Sequence, residues 1–342
     1  MSQSIKKLAG SALTAAVLSG APALAGTLEE VIERGHLECG VSTGSSPGFA
    51  FLNENNVVEG IDADTCRIVA SAIFGDPGKV VFSPLENKER FTALQAGEID
   101  MLARTTTWTL SRDVGLAFDF AAVNYYDGQG FIVRADLGVS SAKELDGATV
   151  CTTSGTTSEL NLRDFFSANG MTFSPVVYEK SAETRTSFFA GRCDAFSSDA
   201  SWIAGLRLQA ENPDDYVVLP DIISKEPLGI VVRHGDNVWK DAVAWAFYAA
   251  VEAEELGITS ENVDEILANN TNPAVARFLG AEGNLGEQLG LPADYAYQVI
   301  KNVGNYGEMF ERTVGKDSPL NLERGMNALW TDGGMQYAPP AR

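Results

Sequence analysis

Between residues 28 and 200 the chain alternates short apolar runs with helix-length segments, and that alternation restricts it to an α/β fold built on parallel sheets. Residues 28–35 read as a helix ending at Gly35, and 37–42 as a buried strand entering the loop Thr43-Gly44-Ser45-Ser46-Pro47-Gly48. Helix 63–74, strand 80–84, helix 88–95 closed at Gly97 and strand 99–105 follow. A second series repeats this order: strand 148–151, the loop Ser154-Gly155-Thr156-Thr157 opening helix 159–168, and strand 176–178. Ala96-Gly97-Glu98-Ile99-Asp100 recurs as Ala190-Gly191-Arg192-Cys193-Asp194, each time at a helix end that runs into a strand. Two lobes of similar build are therefore expected, with ligand groups gathered at the carboxyl ends of their strands.

Residues 120–134, with Asp127-Gly128-Gln129-Gly130, form one crossing between the lobes, and 227–232 form the return. The expected division is a leader at 1–25, a first lobe beginning at 26–128, a second lobe at 129–228, and a return at 229–342 that carries a helical C-terminal extension. Helices are predicted at 239–254, 263–267, 273–279, 293–306 and 308–314. The leader has Lys6 and Lys7, an apolar stretch from Leu8 to Leu18 and the small-residue site Ala23-Leu24-Ala25, which is the pattern of an export signal cleaved after Ala25. Its apolar run falls short of the ~20 residues that span a bilayer, and no direct membrane insertion is expected. The four cysteines all follow the leader, so an oxidising compartment and two disulfides are expected among three possible pairings. Pairing sequence neighbours gives Cys39–Cys66 and Cys151–Cys193; buried free thiols are the alternative.

A net charge of −21 removes nucleic acid from the candidate partners. Two histidines, His36 and His234, cannot make a histidine-based metal centre, and neither a metal nor a cofactor is expected. Gly40-Val41-Ser42-Thr43-Gly44 formally matches a nucleophile elbow, but no helix start follows it and His234 is the only downstream histidine. Gly283, Gly286 and Gly290 lack the Lys-Ser/Thr of a phosphate loop. The run Arg104-Thr105-Thr106-Thr107-Trp108-Thr109 with Arg112 brings hydroxyls and guanidinium groups to the end of a buried strand, although helix capping by Thr107 or Thr109 would use the same residues. Gly155-Thr156-Thr157 opens a helix whose free amides can hold an anion. Aligning the two Ala-Gly repeats sets Asp199 opposite Thr105. An arginine with amides on one wall and a carboxylate on the other suit a zwitterion.

Together, Gly60-Ile61-Asp62-Ala63-Asp64, Arg90-Phe91 with Ala93-Leu94 and Gly97-x-Ile99-Asp100, the hydroxyl run before Ser111-Arg112, Gly155-Thr156-Thr157 and Gly191-x-x-Asp194 with Asp199 resemble the periplasmic polar amino-acid-binding proteins of ABC importers. Asn124-Tyr125-Tyr126-Asp127-Gly128-Gln129-Gly130 is similar to the general L-amino-acid-binding subgroup. The resemblance implies a two-lobed type II periplasmic-binding fold that closes on a free L-amino acid, with broad specificity, and delivers it to an ABC permease. By motif position Arg112 pairs with the α-carboxylate, helped by Thr107 and the amides of Gly155, Thr156 and Thr157. Asp199 and Thr105 hold the α-ammonium. Phe49 or Phe51 is a candidate aromatic wall where histidine- and lysine-type relatives carry a Tyr, a plain core Phe being the alternative, and Arg104 is a candidate reader of an acidic or amide side chain, a surface role being the alternative. A periplasmic monomer without catalytic residues is expected; a dehydratase-like enzyme on the same fold and a sensory amino-acid-binding module are the rival readings.

Overall fold

The computed structural model describes residues 26–43 and 45–342, so the leader and its cleavage site lie outside the described residues. The first lobe begins with α1 (Thr27–Arg34), β1 (Leu37–Val41), a small three-stranded sheet of β2 (Ser45–Ser46), β3 (Ala50–Leu52) and β4 (Val58–Glu59), then α2 (Ile61–Phe74), β5 (Val80–Pro84), α3 (Glu89–Ala96), β6 (Met101–Thr107) and β7 (Phe118–Asp127). The second lobe comprises β8 (Gln129–Arg134), β9 (Thr149–Thr153), α4 (Thr157–Ala168), β10 (Ser174–Tyr178), α5 (Ser181–Phe189), β11 (Ala195–Asp199), α6 (Ala200–Leu208) and β12 (Tyr216–Val218). The chain then returns through β13 (Glu226–Arg233).

The two large sheets share one plan. Strand order is β5-β1-β6-β13-β7 in the first and β10-β9-β11-β8-β12 in the second, each with three parallel strands, then one running against them, then an edge strand antiparallel to that one. The repeated Ala-Gly-x-x-Asp segments occupy matching places, just ahead of β6 and of β11. Gly97 and Gly191 adopt φ +74 and +72, the left-handed turn that a side chain disfavours. The aspartate then clips the neighbouring parallel strand: Asp100 accepts from the Glu38 amide at 2.7 Å, and Asp194 accepts from the Thr149 amide at 2.8 Å. Local chemistry thus explains why the same five-residue grammar appears twice.

The sheets meet in chain order at Gly128, between β7 and β8, and again ahead of Glu226. β13 takes its place beside β7 from Glu226, which pairs with Asp127, three residues before the expected boundary at 229. Each large lobe carries its own disulfide. Cys39 of β1 joins Cys66 of α2 and Cys151 of β9 joins Cys193, with Cα separations of 6.2 and 5.7 Å.

After β13 the chain is helical: α7 (Asn237–Glu255), α8 (Val263–Asn269), α9 (Pro273–Phe278), α10 (Leu285–Gln288), α11 (Tyr295–Val303) and α12 (Tyr306–Thr313). Asp236 caps α7 by accepting from the Trp239 amide, and the apolar face Trp239, Val243, Phe247 and Val251 packs into the first-lobe core. The two helices expected over 293–306 and 308–314 are both present as α11 and α12, but the break between them falls at Gly304 and Asn305, ahead of residue 307. Gly304 at φ +94 ends α11, and Asn305 with Glu308 forms a capping box that starts α12 afresh. Beyond α12 the tail runs along β7, an edge strand. The Asn327 carboxamide accepts from the Tyr126 amide at 2.7 Å and donates to its carbonyl at 2.9 Å, while the Tyr306 hydroxyl donates to the Asn124 carbonyl at 3.0 Å. No helix among the described residues is long and apolar enough to cross a membrane.

Candidate functional site

The carboxyl ends of β6 and β11 face each other across the cleft between the lobes, as the alignment of the repeats requires. Seven of the residues singled out from the sequence line that cleft: Arg104, Thr105, Thr107, Arg112, Thr156, Thr157 and Asp199. Phe49, Phe51 and Gly155 do not. Phe49 is fully buried in the first-lobe core, edge-on to Tyr125 with ring centroids 5.1 Å apart. The expected aromatic wall comes instead from the second lobe, where Phe196 of β11 stacks on Trp202 of α6. Gly155 sits at the lip with φ +75, and a Cβ there would come within 2.9 Å of Lys88 on the opposing lobe. It shapes the approach of the lobes without lining the pocket.

On the first-lobe wall three guanidinium groups converge. Arg112 lies in a single π-helical turn, Ser111–Gly115, donates to the Thr107 carbonyl at 2.9 Å and stands over the Phe91 ring. Arg104 donates to the Leu85 carbonyl and to Asn87 Oδ1, both at 2.7 Å. The third, Arg90 of α3, was visible in the sequence as part of a motif but carried no assignment there. It is 2% exposed, donates to the Arg104 carbonyl at 3.0 Å and leaves its Nε without a partner. Burial lowers all three guanidinium pKa values, and for Arg104 it does so to about 10 against the opposing pull of Glu86 and Asp62. A buried cation cluster of this kind calls for an anion.

Thr105 holds φ +39 within β6, a conformation that a β-branched residue adopts only under constraint. The constraint is Asp62, in the first turn of α2, which accepts from the Thr105 amide at 3.1 Å and from Asn124 Nδ2 at 3.0 Å. Burial pushes the Asp62 carboxyl up to about 6.

The opposing wall is built on the N-terminus of α4 and on Asp199. Thr156 donates to the Thr153 carbonyl at 2.7 Å and so turns the chain into α4, whose first residues Thr157 and Ser158 line the cleft. No hydrogen bond from the described residues satisfies the Asp199 carboxylate, and burial, then Asp127 and Glu226, hold its pKa well above the ordinary carboxylate range. The lobes touch around this pocket. Asn87 Nδ2 donates to Ser181 Oγ at 3.2 Å, Lys88 Nζ to Glu179 at 3.1 Å, and Trp202 Nε1 to Ser46 Oγ at 3.2 Å. The cleft is closed.

Other sequence candidates lie elsewhere. Ser42 donates to the Ala50 carbonyl and has no histidine beside it, His36 meets Glu38, and His234 meets Asp119. Among the described residues no cluster of three or more His, Cys, Asp or Glu is placed to hold a metal ion.

Residues 37–262 match the bacterial extracellular solute-binding proteins, family 3. The chain belongs to that family. Among solute-binding relatives, it is 53% identical over 340 residues to the general L-amino acid-binding periplasmic protein AapJ of Rhizobium johnstonii, covering 98% of this chain and 99% of that protein. It is 54% identical over 333 residues to the glutamate/glutamine/aspartate/asparagine-binding protein BztA of Rhodobacter capsulatus, covering 97% and 98%. A solved periplasmic binding protein of an ABC transporter from Brucella ovis, with glutathione bound, superposes with a TM-score of 0.90 at 53% identity over 93% of this chain and all of that one. The solute-binding fold of the family is therefore the fold described above, and these relatives are named as binding proteins, not as enzymes.

Proposed function

We propose that the protein is a periplasmic receptor that captures free L-amino acids by closure of its two lobes and delivers them to an ABC permease. One observation carries this reading: three buried guanidinium groups face a carboxylate, Asp199, that no donor among the described residues satisfies, across a closed pocket. A zwitterion answers both sides at once. Arg112 and the amides at the start of α4 take the α-carboxylate, while Asp199 and Thr105 take the α-ammonium. Arg104 and Arg90, with the Asn87 amide between the lobes, face the ligand's side chain and suit a carboxylate or carboxamide there. This agrees with the substrates in the name of the Rhodobacter relative, and the other relative's name supports a broad range. The receptor acts as a monomer after cleavage at Ala25, and its lobes divide at 129 and, with β13 in the first sheet, at Glu226.

The Brucella structure supports a second ligand. Glutathione begins with a γ-glutamyl unit whose free α-ammonium and α-carboxylate present the same zwitterion. The test is thermal shift followed by calorimetry on protein purified from the periplasm and stripped by unfolding and refolding. Twenty L-amino acids, glutathione, sugars and organic acids form the panel. A ligand at 100 times its Kd adds about 2.7 kcal/mol of stability. Shifts with several L-amino acids are expected, largest for acidic and amide side chains. Silence across the amino acids and glutathione would remove this function and return the enzyme reading.

A further inference from the structure

The cleft holds a carboxylate to which the amino-acid reading gives no task. Glu226 opens β13 and is 1% exposed. Its Oε2 accepts from Thr107 Oγ1 at 2.5 Å and from Thr157 Oγ1 at 2.9 Å; its Oε1 accepts from Asn161 Nδ2 at 2.7 Å and Ser224 Oγ at 2.5 Å. Thr107 belongs to the first lobe and pairs with Leu228 of the same strand as Glu226. Thr157 and Asn161 belong to α4 of the second lobe. One carboxylate on the returning strand thus ties the two walls together, and parting the lobes strips it of Thr157 and Asn161.

A hydroxyl has one proton to give and lone pairs to receive. Thr107 and Thr157 both line the pocket, and both spend that proton on Glu226. Their oxygens, 3.5 Å apart, therefore present only lone pairs to a ligand. They cannot donate to a carboxylate, but they accept from an ammonium. We infer that Glu226 is a positioning residue for ligand recognition: by taking both threonine protons it makes the two hydroxyls acceptors for the ligand's ammonium and couples that polarity to closure. The inference rests on the amino-acid reading and refines it. The Thr107 hydroxyl moves from the α-carboxylate to the ammonium, and the carboxylate keeps Arg112 and the backbone amides.

The test uses L-glutamate on the stripped periplasmic protein, by calorimetry and stopped-flow. Glu226→Met keeps the length but removes both acceptor oxygens, so Thr107 and Thr157 turn their protons into the cleft. We expect about tenfold weaker binding, carried by faster dissociation, the scale of one hydrogen bond to a charged group. In a Thr107→Val/Thr157→Val background the same change is expected to cost less than about twofold, because the groups it acts through are gone. Equal losses in the two backgrounds, or no loss in either, would overturn the inference while leaving wild-type binding, and hence the receptor reading, intact. If Glu226→Met melts early, Thr157→Val compared on L-glutamate and on glutarate, which lacks the ammonium, decides instead. Loss confined to glutamate supports the inference and equal loss on both refutes it. Wild-type protein that binds no L-glutamate would overturn it together with the reading on which it rests.

Discussion

On the proposed amino-acid reading, Asp199 and Arg112 are the residues whose removal leaves the opposite ligand charge buried and unpaired. Asp199→Asn, which preserves shape, is expected to weaken amino-acid binding by about 2–5 kcal/mol, and Arg112→Ala by a similar amount, both measured by calorimetry. Near wild-type affinity in both would displace the site. Thr105 behaves differently because its cost is conformational. Thr105→Gly relieves a φ of +39 and is expected to hold or raise the melting temperature by the equivalent of about 1 kcal/mol while weakening binding. That these residues gather at one cleft was legible in the linear order, since a hydroxyl run with an arginine at a strand end belongs at the edge of a parallel sheet. Phe49 was not, because it lies in the turn between β2 and β3, where no strand or helix period tells which way a side chain points. Arg90 and Glu226 escaped for a related reason: each reads as an ordinary charge until the fold buries it among unlike partners.

At the scale of elements, the repeated helix end and strand were readable because the determinants are local. Gly97 and Gly191 each need a left-handed turn, and a Cβ at either meets nothing closer than 3.4 Å, so the cost of a side chain there is backbone strain alone. Gly97→Ala and Gly191→Ala are expected to lower stability by about 1 kcal/mol each, to nearly equal extents, in denaturant melts. Unequal costs would mean that the two repeats are not structurally equivalent. That two helices occupy this stretch was legible, but the place of the break between α11 and α12 was harder to read. Gly304 sits in a run whose apolar periodicity continues on both sides, and the Asn305–Glu308 box that restarts the helix competes with that periodicity at short range.

The whole molecule carries opposing responses to pH. Burial pushes Asp62 and Asp127 up to about 6, from an ordinary 3.8. Carboxyls with raised folded pKa values bind protons more readily in the native state. Their stabilising contribution is therefore full below about pH 4 and is lost as pH rises through about 6, on the order of 3 kcal/mol for Asp62. Asp199 is raised as well, and its protonated form offers the ligand's ammonium no charge. From pH 7 to pH 5 the ligand-free protein is thus expected to gain thermal stability from these groups while the shift produced by L-glutamate shrinks, both read from one series of melts. A ligand shift that grows on acidification would contradict Asp199 as the ammonium partner. The architecture of two lobes followed from the alternation of elements, whereas the closed cleft and its cross-lobe contacts depend on the relative placement of the sheets, which no local pattern encodes. The tail along β7 has a further consequence. With the Asn327 carboxamide occupying the amide and carbonyl of Tyr126 as a neighbouring strand would, one margin of the first sheet is denied to other copies of the chain. A receptor crowded beside its own kind in a narrow compartment is thereby kept from stacking edge to edge into fibrils.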